Sequence, residues 1–118
     1  MKENILKEKS YLFALRIIKL YQHLAKQQEY VLSKQVLRSG TSIGANIEEA
    51  GQAQSKADFI HKLSIAQKES FETHYWIRLL RDSELLTHKL ADSLLVDCVE
   101  LQKLITASIK TAKRNAAN

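Results

Sequence analysis

The sequence contains no proline and only three glycines in 118 residues, and all three glycines lie between Gly40 and Gly51. Helix breakers are therefore missing from most of the chain, which favours long helices. The single cysteine, Cys98, excludes an internal disulfide and the cysteine ligand sets of structural zinc sites. No apolar run approaches the ~20 residues of a membrane span, and the opening MKENILKEKS lacks the apolar core of a signal peptide, so we expect a cytoplasmic protein without membrane association.

The composition that remains is that of an ordinary globular domain. Hydrophobic residues make up 45% of the chain and charged residues 26%, which excludes disordered and fibrous classes. Eighteen Lys and Arg against thirteen Asp and Glu leave a net charge of +5, which permits contact with nucleic acid without requiring it.

Apolar residues recur with helical spacing, and no strand-like alternation or hairpin turn sequence interrupts them. The pattern predicts an all-α fold in a single domain over residues 1–118. The four predicted helices cover residues 4–27, 33–52, 56–82 and 87–112. Ser33, Ser55 and Thr87 are the predicted N-caps of the last three, with Ser55 opening a capping box.

The first predicted helix is too apolar for the surface of a monomer. At ~100° per residue its apolar arc covers about 220°, whereas a helix that faces one core needs little more than ~100°. The third helix carries a second apolar patch, formed by Ile65, Trp76 and Leu79, nearly opposite its core face. These surfaces predict a homo-oligomer with that patch at the interface.

The remaining arc of the first helix is basic, with only Glu8 at its rim. Its predicted nucleic-acid contacts are Lys9, Arg16, Lys19 and Lys26. Aromatic residues between these cations would favour stacking on single strands, but the stripe has only His23. The alternative position for phosphate contact is the tail, with Lys110, Lys113 and Arg114.

The second helix has glycine at positions that helices tolerate poorly. Gly40 and Gly44 lie side by side, and each interior glycine costs about 0.5–1 kcal/mol relative to alanine. They predict the close approach of another helix backbone. Polar residues border the core on the other flank, either bonded to neighbouring helices or forming a ligand site. This strip includes Ser42, Asn46 and Glu49.

Signals for chemistry are few, and we predict no catalytic residue, metal or cofactor. Cys98 lies on the predicted core face, and Asp58-x-x-His61 is a metal-like pair that occurs only once. Asp97 falls within the apolar arc of the fourth helix, where a lone carboxylate is costly. Its predicted partner is His74 or Asn46, and an enzyme would need a polar site around these three residues.

Leu37–Ala50, LRSGTSIGANIEEA, resembles the signature of bacterial proteins named for intervening sequences in 23S ribosomal RNA genes. Residues 56–66 and 69–80 are similar to the third helix of that family. Gly44 departs from the pattern, since many members have proline there, and Ala50-Gly51 departs because glycine usually follows the glutamate directly.

The resemblance implies an antiparallel, up-down-up-down four-helix bundle that assembles into a homopentamer, with no established enzymatic activity. The related accessory variability protein of diversity-generating retroelements has the same architecture and a basic surface that contacts nucleic acid and a reverse transcriptase. Three interpretations follow: an oligomeric adaptor that binds RNA or DNA non-specifically through its first helix, a scaffold that binds another protein and no nucleic acid, or an enzyme.

Overall fold

The computed structural model describes the backbone of residues 2–117 and the side chains of residues 5–115. Four α-helices account for this part of the chain, and the all-α prediction is confirmed. They are α1 (Lys2–Lys26), α2 (Leu32–Ala50), α3 (Lys56–Asp82) and α4 (His88–Ala117). The largest difference from the predicted bounds is at the end of α4, which runs five residues past position 112.

The helices form an elongated four-helix bundle with extents of 51 × 21 × 20 Å. The connections at 27–31, 51–55 and 83–87 are too short to cross the length of the bundle, so consecutive helices run antiparallel. α1 and α3 each pack against both α2 and α4. Within the described residues, no helix combines the length and apolar content needed to cross a membrane.

One continuous core runs along the bundle axis, built from the stripe that each helix turns inward. Its largest fully buried apolar side chains are Phe13, Ile17, Leu24, Val36, Ile43, Leu63, Ile77, Leu80, Leu94, Leu101 and Ile105. Burial of each such side chain stabilises the fold by about 1.5–3 kcal/mol. A few hydroxyl groups share this interior, and Thr73 of α3 donates a 2.9 Å hydrogen bond to Ser39 of α2.

The N-termini of α3 and α4 are capped as the sequence predicts, but that of α2 is not. The Ser55 hydroxyl accepts the amide N–H of Asp58 at 3.0 Å, and the Thr87 hydroxyl accepts that of Leu90 at 3.2 Å. Ser33 is the wrong N-cap for α2, because it lies inside the helix.

The carboxylate of Glu29 takes the place of an N-cap side chain at the start of α2. It accepts the amide N–H groups of Ser33 at 2.7 Å and Val31 at 3.2 Å. Burial alone would raise the pKa of Glu29, but hydrogen bonds from these amides lower it. The charge also lies favourably at the positive end of the helix dipole.

α1 approaches α2 closely at the two glycines. A methyl group placed at Gly40 would lie 2.7 Å from Cγ1 of Ile17, which is far inside van der Waals contact. A methyl group at Gly44 would lie 3.4 Å from the carbonyl oxygen of Ser10. The backbone of α1 therefore faces Gly44, whereas the branched side chain of Ile17 fills the space above Gly40.

Candidate functional site

The basic stripe of α1 borders α4, and α4 supplies carboxylates to it. Lys9 pairs with Glu100 at 3.1 Å. Arg16 pairs with Asp97 at 2.6 Å and also donates to the hydroxyl of Ser93 at 3.1 Å. The expectation that this stripe has almost no acidic competition is therefore wrong, because it counted only the residues of α1.

Asp97 has a different partner and position from those predicted. It pairs with Arg16, not with His74 or Asn46, and 43% of its side chain is exposed. A partly exposed ion pair of this kind contributes little to stability, about 0–1 kcal/mol. Asp97 thus lies at the rim of the α1–α4 contact and not inside the core.

Two cations of the stripe remain available. Lys19 and Lys26 are exposed, and no carboxylate among the described side chains pairs with either. Lys19 lies along a groove of about 440 Å³ between α1 and α4, which Leu12 and Leu15 also line. The predicted nucleic-acid surface is thereby reduced to two free cations beside apolar side chains.

The polar strip of α2 makes mainly local contacts. The Ser42 hydroxyl donates to the carbonyl of Arg38 at 2.6 Å, and the Asn46 amide donates to the carbonyl of Ser42 at 2.8 Å. Glu49 is exposed and not buried, and it bonds a neighbouring helix, as one of the two alternatives for this strip predicts, through an ion pair with Lys62 of α3 at 3.1 Å. Ser42 and Asn46 are half-buried.

The polar site that an enzyme would need is not assembled from Asn46, His74 and Asp97. Asn46 bonds within its own helix, and Asp97 pairs across the α1–α4 groove. His74 is half-buried on α3, where burial, followed by the charges of Arg78 and Arg81, lowers its pKa. No hydrogen bond or ion pair among the described side chains joins any two of the three.

Cys98 is fully buried, as predicted from its helix face. Its thiol lies 3.3 Å from the carbonyl of Ser70, and burial, with a smaller effect of the Asp97 charge, raises its pKa to about 12. A thiol in this setting is not a nucleophile at neutral pH. Throughout the described chain, no three His, Cys, Asp or Glu side chains converge in a way that could hold a metal ion.

The outer face of α1 exposes several large apolar side chains. They are Ile5, Tyr11, Leu12, Leu15 and Ile18, with 39–62% of each residue accessible. Soluble monomers rarely expose contiguous apolar patches of this kind without a partner. We call these five residues the α1 apolar face.

The predicted interface patch on α3 is partly covered within the protomer. Ile65 and Trp76 are half-buried, and the Trp76 indole donates to Glu72 at 3.0 Å. Only Leu79, with 36% exposed, faces outward. The patch lies on the flank of α3 that faces α2, where Arg38 of α2 pairs with Glu69 and Glu72.

The most exposed aromatic residues of α3 were not identified from the sequence. Phe71 is 58% exposed and Tyr75 47%, one turn apart on the outer face. Lys68 and Arg78 flank them at helical spacing, so the sequence of the third helix carries the alternation of cations and rings that the first helix lacks.

Comparison with known proteins places this bundle in a family. Residues 2–107 match the model of the family described as 23S rRNA-intervening sequence protein. A crystal structure from Bacteroides thetaiotaomicron, a protein of unknown function from the S23 ribosomal protein family, is similar with a TM-score of 0.92 and 55% identity. The match covers 93% of this chain and 99% of that one. None of the curated proteins matches. The chain belongs to the 23S rRNA-intervening sequence protein family.

Proposed function

We propose that the protein is a non-enzymatic adaptor that works as a homo-oligomer of four-helix bundles. The observation that carries this proposal is the α1 apolar face, which the protomer itself leaves uncovered. Its side chains share one outward surface on a helix whose opposite face is fully used by the core. A second copy of the chain is the simplest partner that can bury such a surface.

Five copies is the number that the family resemblance implies. In a closed ring of five each subunit would present its α1 apolar face to one neighbour and a different surface to the other, and every feature of the surface would be repeated once per subunit. Such an arrangement gives weak individual contacts a high combined affinity, which suits an adaptor without a catalytic centre.

Light scattering coupled to size exclusion tests the assembly. We expect a mass near five protomers for the wild-type protein and a large fall in mass for Tyr11→Glu/Leu15→Glu, because two buried carboxylates at the contact are costly. Val96→Glu is the matched control, since Val96 is 68% exposed on α4. A wild-type monomer at micromolar concentration contradicts the proposal. Dissociation by the control alone moves the contact to α4.

Non-specific contact with RNA or DNA is a second candidate function, and Lys19 and Lys26 are the residues that support it. Lys9 and Arg16 are engaged by α4, and Lys19 lies beside Leu12 and Leu15 of the α1 apolar face. Binding through α1 therefore competes with burial of that face for Lys19, whereas Lys26 would be repeated around the ring. A retroelement-type accessory role would use such a surface. If the protein is instead a scaffold that binds another protein and no nucleic acid, these lysines are only solvated surface residues.

Titration with RNA and DNA over a salt series separates these candidates. Binding through α1 predicts that Lys19→Gln/Lys26→Gln lowers the affinity and flattens the dependence of log affinity on log salt, by about 0.7–0.9 for each phosphate that is no longer neutralised. Lys34→Gln/Lys89→Gln, at two exposed positions on other helices and outside the tail, is the charge-matched control. Absence of binding at low salt favours the protein-binding scaffold.

A further inference from the structure

The outer face of α3 combines exposed aromatic rings with free cations. Phe71 and Tyr75 are the most exposed aromatic residues of this helix, at 58% and 47%. Lys68 precedes Phe71 by three residues, and Arg78 follows Tyr75 by three, so cation, ring, ring and cation follow one another along one surface. The backbone positions of the two residues are about 6 Å apart along the helix axis. We call these four residues the α3 aromatic face.

Carboxylates that could neutralise this face are engaged elsewhere. Glu69 and Glu72 point to the flank of α3 that faces α2, where both pair with Arg38. Asp82 lies one turn beyond Arg78, where it borders this face, and its carboxylate pairs with Arg81 at 2.9 Å. From His61 to Leu79, the outward positions 61, 64, 68, 71, 75, 78 and 79 include no acidic residue. This surface is therefore electropositive as well as aromatic.

The Tyr75 ring of this face is supported by its neighbours. The Arg78 guanidinium lies 5.7 Å from the centre of the Tyr75 ring, a cation–π distance. The edge of Trp76 meets Tyr75 with the ring centres 5.3 Å apart and an interplanar angle of 65°. Trp76 is in turn held by its hydrogen bond to Glu72. A supported ring loses little conformational entropy when a ligand stacks on it.

We propose that the α3 aromatic face binds single-stranded nucleic acid, by stacking unpaired bases on Phe71 and Tyr75 while Lys68 and Arg78 contact the adjoining phosphates. Rings and cations along one surface match the bases and phosphates along an unpaired strand. A duplex keeps its bases stacked on each other, so its rings are not available to a side chain on a convex helix surface. An apolar protein partner would have to desolvate both cations without compensation.

This site is separate from the assembly surface, and the proposal goes beyond the adaptor function without depending on it. Phe71 and Tyr75 lie on α3, whereas the α1 apolar face lies on another helix of the bundle. The site also differs from the Lys19 and Lys26 candidate in chemistry, since stacking discriminates single strands from duplexes and charge alone does not.

Fluorescence anisotropy with labelled oligouridylate, and with its duplex with oligoadenylate, tests the proposal at low salt. We expect tighter binding of the single strand, and a loss of about tenfold or more in affinity for Phe71→Ala/Tyr75→Ala. Lys68→Gln/Arg78→Gln should instead reduce the salt slope by about 0.7 for each phosphate that is no longer neutralised. Val96→Ala, an exposed apolar truncation on α4, is the matched control and should change neither quantity.

Two further measurements separate stacking from other causes. Phe71→Leu keeps the apolar surface but removes the ring, so it should weaken binding, whereas Tyr75→Phe should retain it. Trp76 is the only tryptophan and touches Tyr75, so its emission should change when oligouridylate binds. Light scattering of the ring variant should give the wild-type mass.

Three results would overturn the proposal: unchanged affinity in the double ring variant, equal affinity for strand and duplex, or full binding by Phe71→Leu. A fall in mass of the ring variant would also overturn it, since the face would then be a contact between copies of this chain. A monomeric wild-type protein that still binds the strand would contradict the adaptor function alone.

Discussion

The outer faces of α1 and α3 are built from similar residue types and end with different chemical character. Both carry lysine, arginine and large apolar or aromatic side chains at helical spacing. On α1 the carboxylates of α4 engage Lys9 and Arg16, which leaves a face that is mainly apolar. On α3 the carboxylates of the helix itself are engaged by arginines, so its outward cations stay free.

The neighbouring helix therefore decides the charge of each face. α4 supplies Asp97 and Glu100 to the side of α1, and α2 supplies Arg38 to the side of α3. This pairing does not change the net charge of +5, but it decides on which face of the bundle the unpaired cations lie. An apolar face favours association with another protein surface, whereas a cationic, aromatic face favours an unpaired polyanion.

α1 and α3 also contact α2 differently, and substitution of the glycines should show the largest effect. Gly40→Leu introduces a side chain where Ile17 already lies within 2.8 Å, so we expect it to destabilise the fold by about 1–3 kcal/mol or more. Gly40→Ala should also destabilise the fold, but by less than Gly40→Leu. Thermal and urea unfolding, followed by circular dichroism, measure both.

Gly44→Ala is the matched control for this contact. Its methyl group would meet the Ser10 carbonyl oxygen at 3.4 Å, which is an ordinary contact, and alanine has the better helix propensity. We expect little change, or a stabilisation of up to about 1 kcal/mol. A rise in melting temperature with Gly40→Ala would show that Ile17 moves aside easily and that α1 is not locked against α2.

The sequence was sufficient for the helices and for the core because both depend on periodicity within one helix. The spacing of apolar residues in the fourth helix places Cys98 inward, and it is fully buried. Ser33 is not the N-cap because α2 already begins at Leu32. The carboxylate of Glu29, four residues before Ser33, accepts the free amide N–H groups instead. A cap of that reach depends on loop geometry, which spacing does not encode.

Removing the α4 carboxylates should make the face of α1 resemble that of α3 in charge. Asp97→Asn/Glu100→Gln frees Arg16 and Lys9 without changing side-chain size. We expect affinity for RNA or DNA at low salt to rise by about tenfold and the salt slope to steepen by about 0.7–0.9 for each cation that reaches a phosphate. Anisotropy titration across salt concentrations measures both quantities.

Asp92→Asn, another carboxylate of α4, is the control for this change, because its partner Arg81 lies on α3. The control removes one negative charge and the double variant removes two. A gain in log affinity with the control that is half that of the double variant would mean that net charge alone matters and that the pairing on α1 has no local effect. Retention of the preference for single strands in both variants is expected, since the α3 aromatic face is untouched.

The sites were harder to predict than the fold because they depend on pairs of helices. The position of Asp97 within the apolar arc of α4 predicts burial, but Asp97 lies at the rim of the core, where Arg16 of α1 pairs with it. Trp76 looked like a back-face residue, whereas the flank it occupies is shared with α2. Both errors come from treating each helix as if it had one core face and one solvent face. The outward position of Phe71 and Tyr75, by contrast, follows from the spacing within α3 alone.

The smallest expected effect concerns the ends of the two helices, where α1 and α3 are alike. Gln28 and Glu84 each close their helix with a left-handed backbone, at φ 63° and 66°. In both turns the next amide bonds back five residues, from Glu29 to Leu24 and from Leu85 to Leu80. This conformation costs a residue with a side chain roughly 1–2 kcal/mol, which glycine avoids.

Gln28→Gly and Glu84→Gly should therefore each stabilise the fold, by about 0.5–1 kcal/mol after the greater flexibility of glycine in the unfolded chain is subtracted. Alanine at the same positions is the control, because it keeps the side-chain penalty and should give no such gain. Urea midpoints of the four variants measure the differences. Equal gains at the two sites would mean that both turns are fully formed in the native state. A gain at Glu84 alone would show that the end of α1 is already frayed, and that α1 is held less firmly than α3 at this end of the bundle.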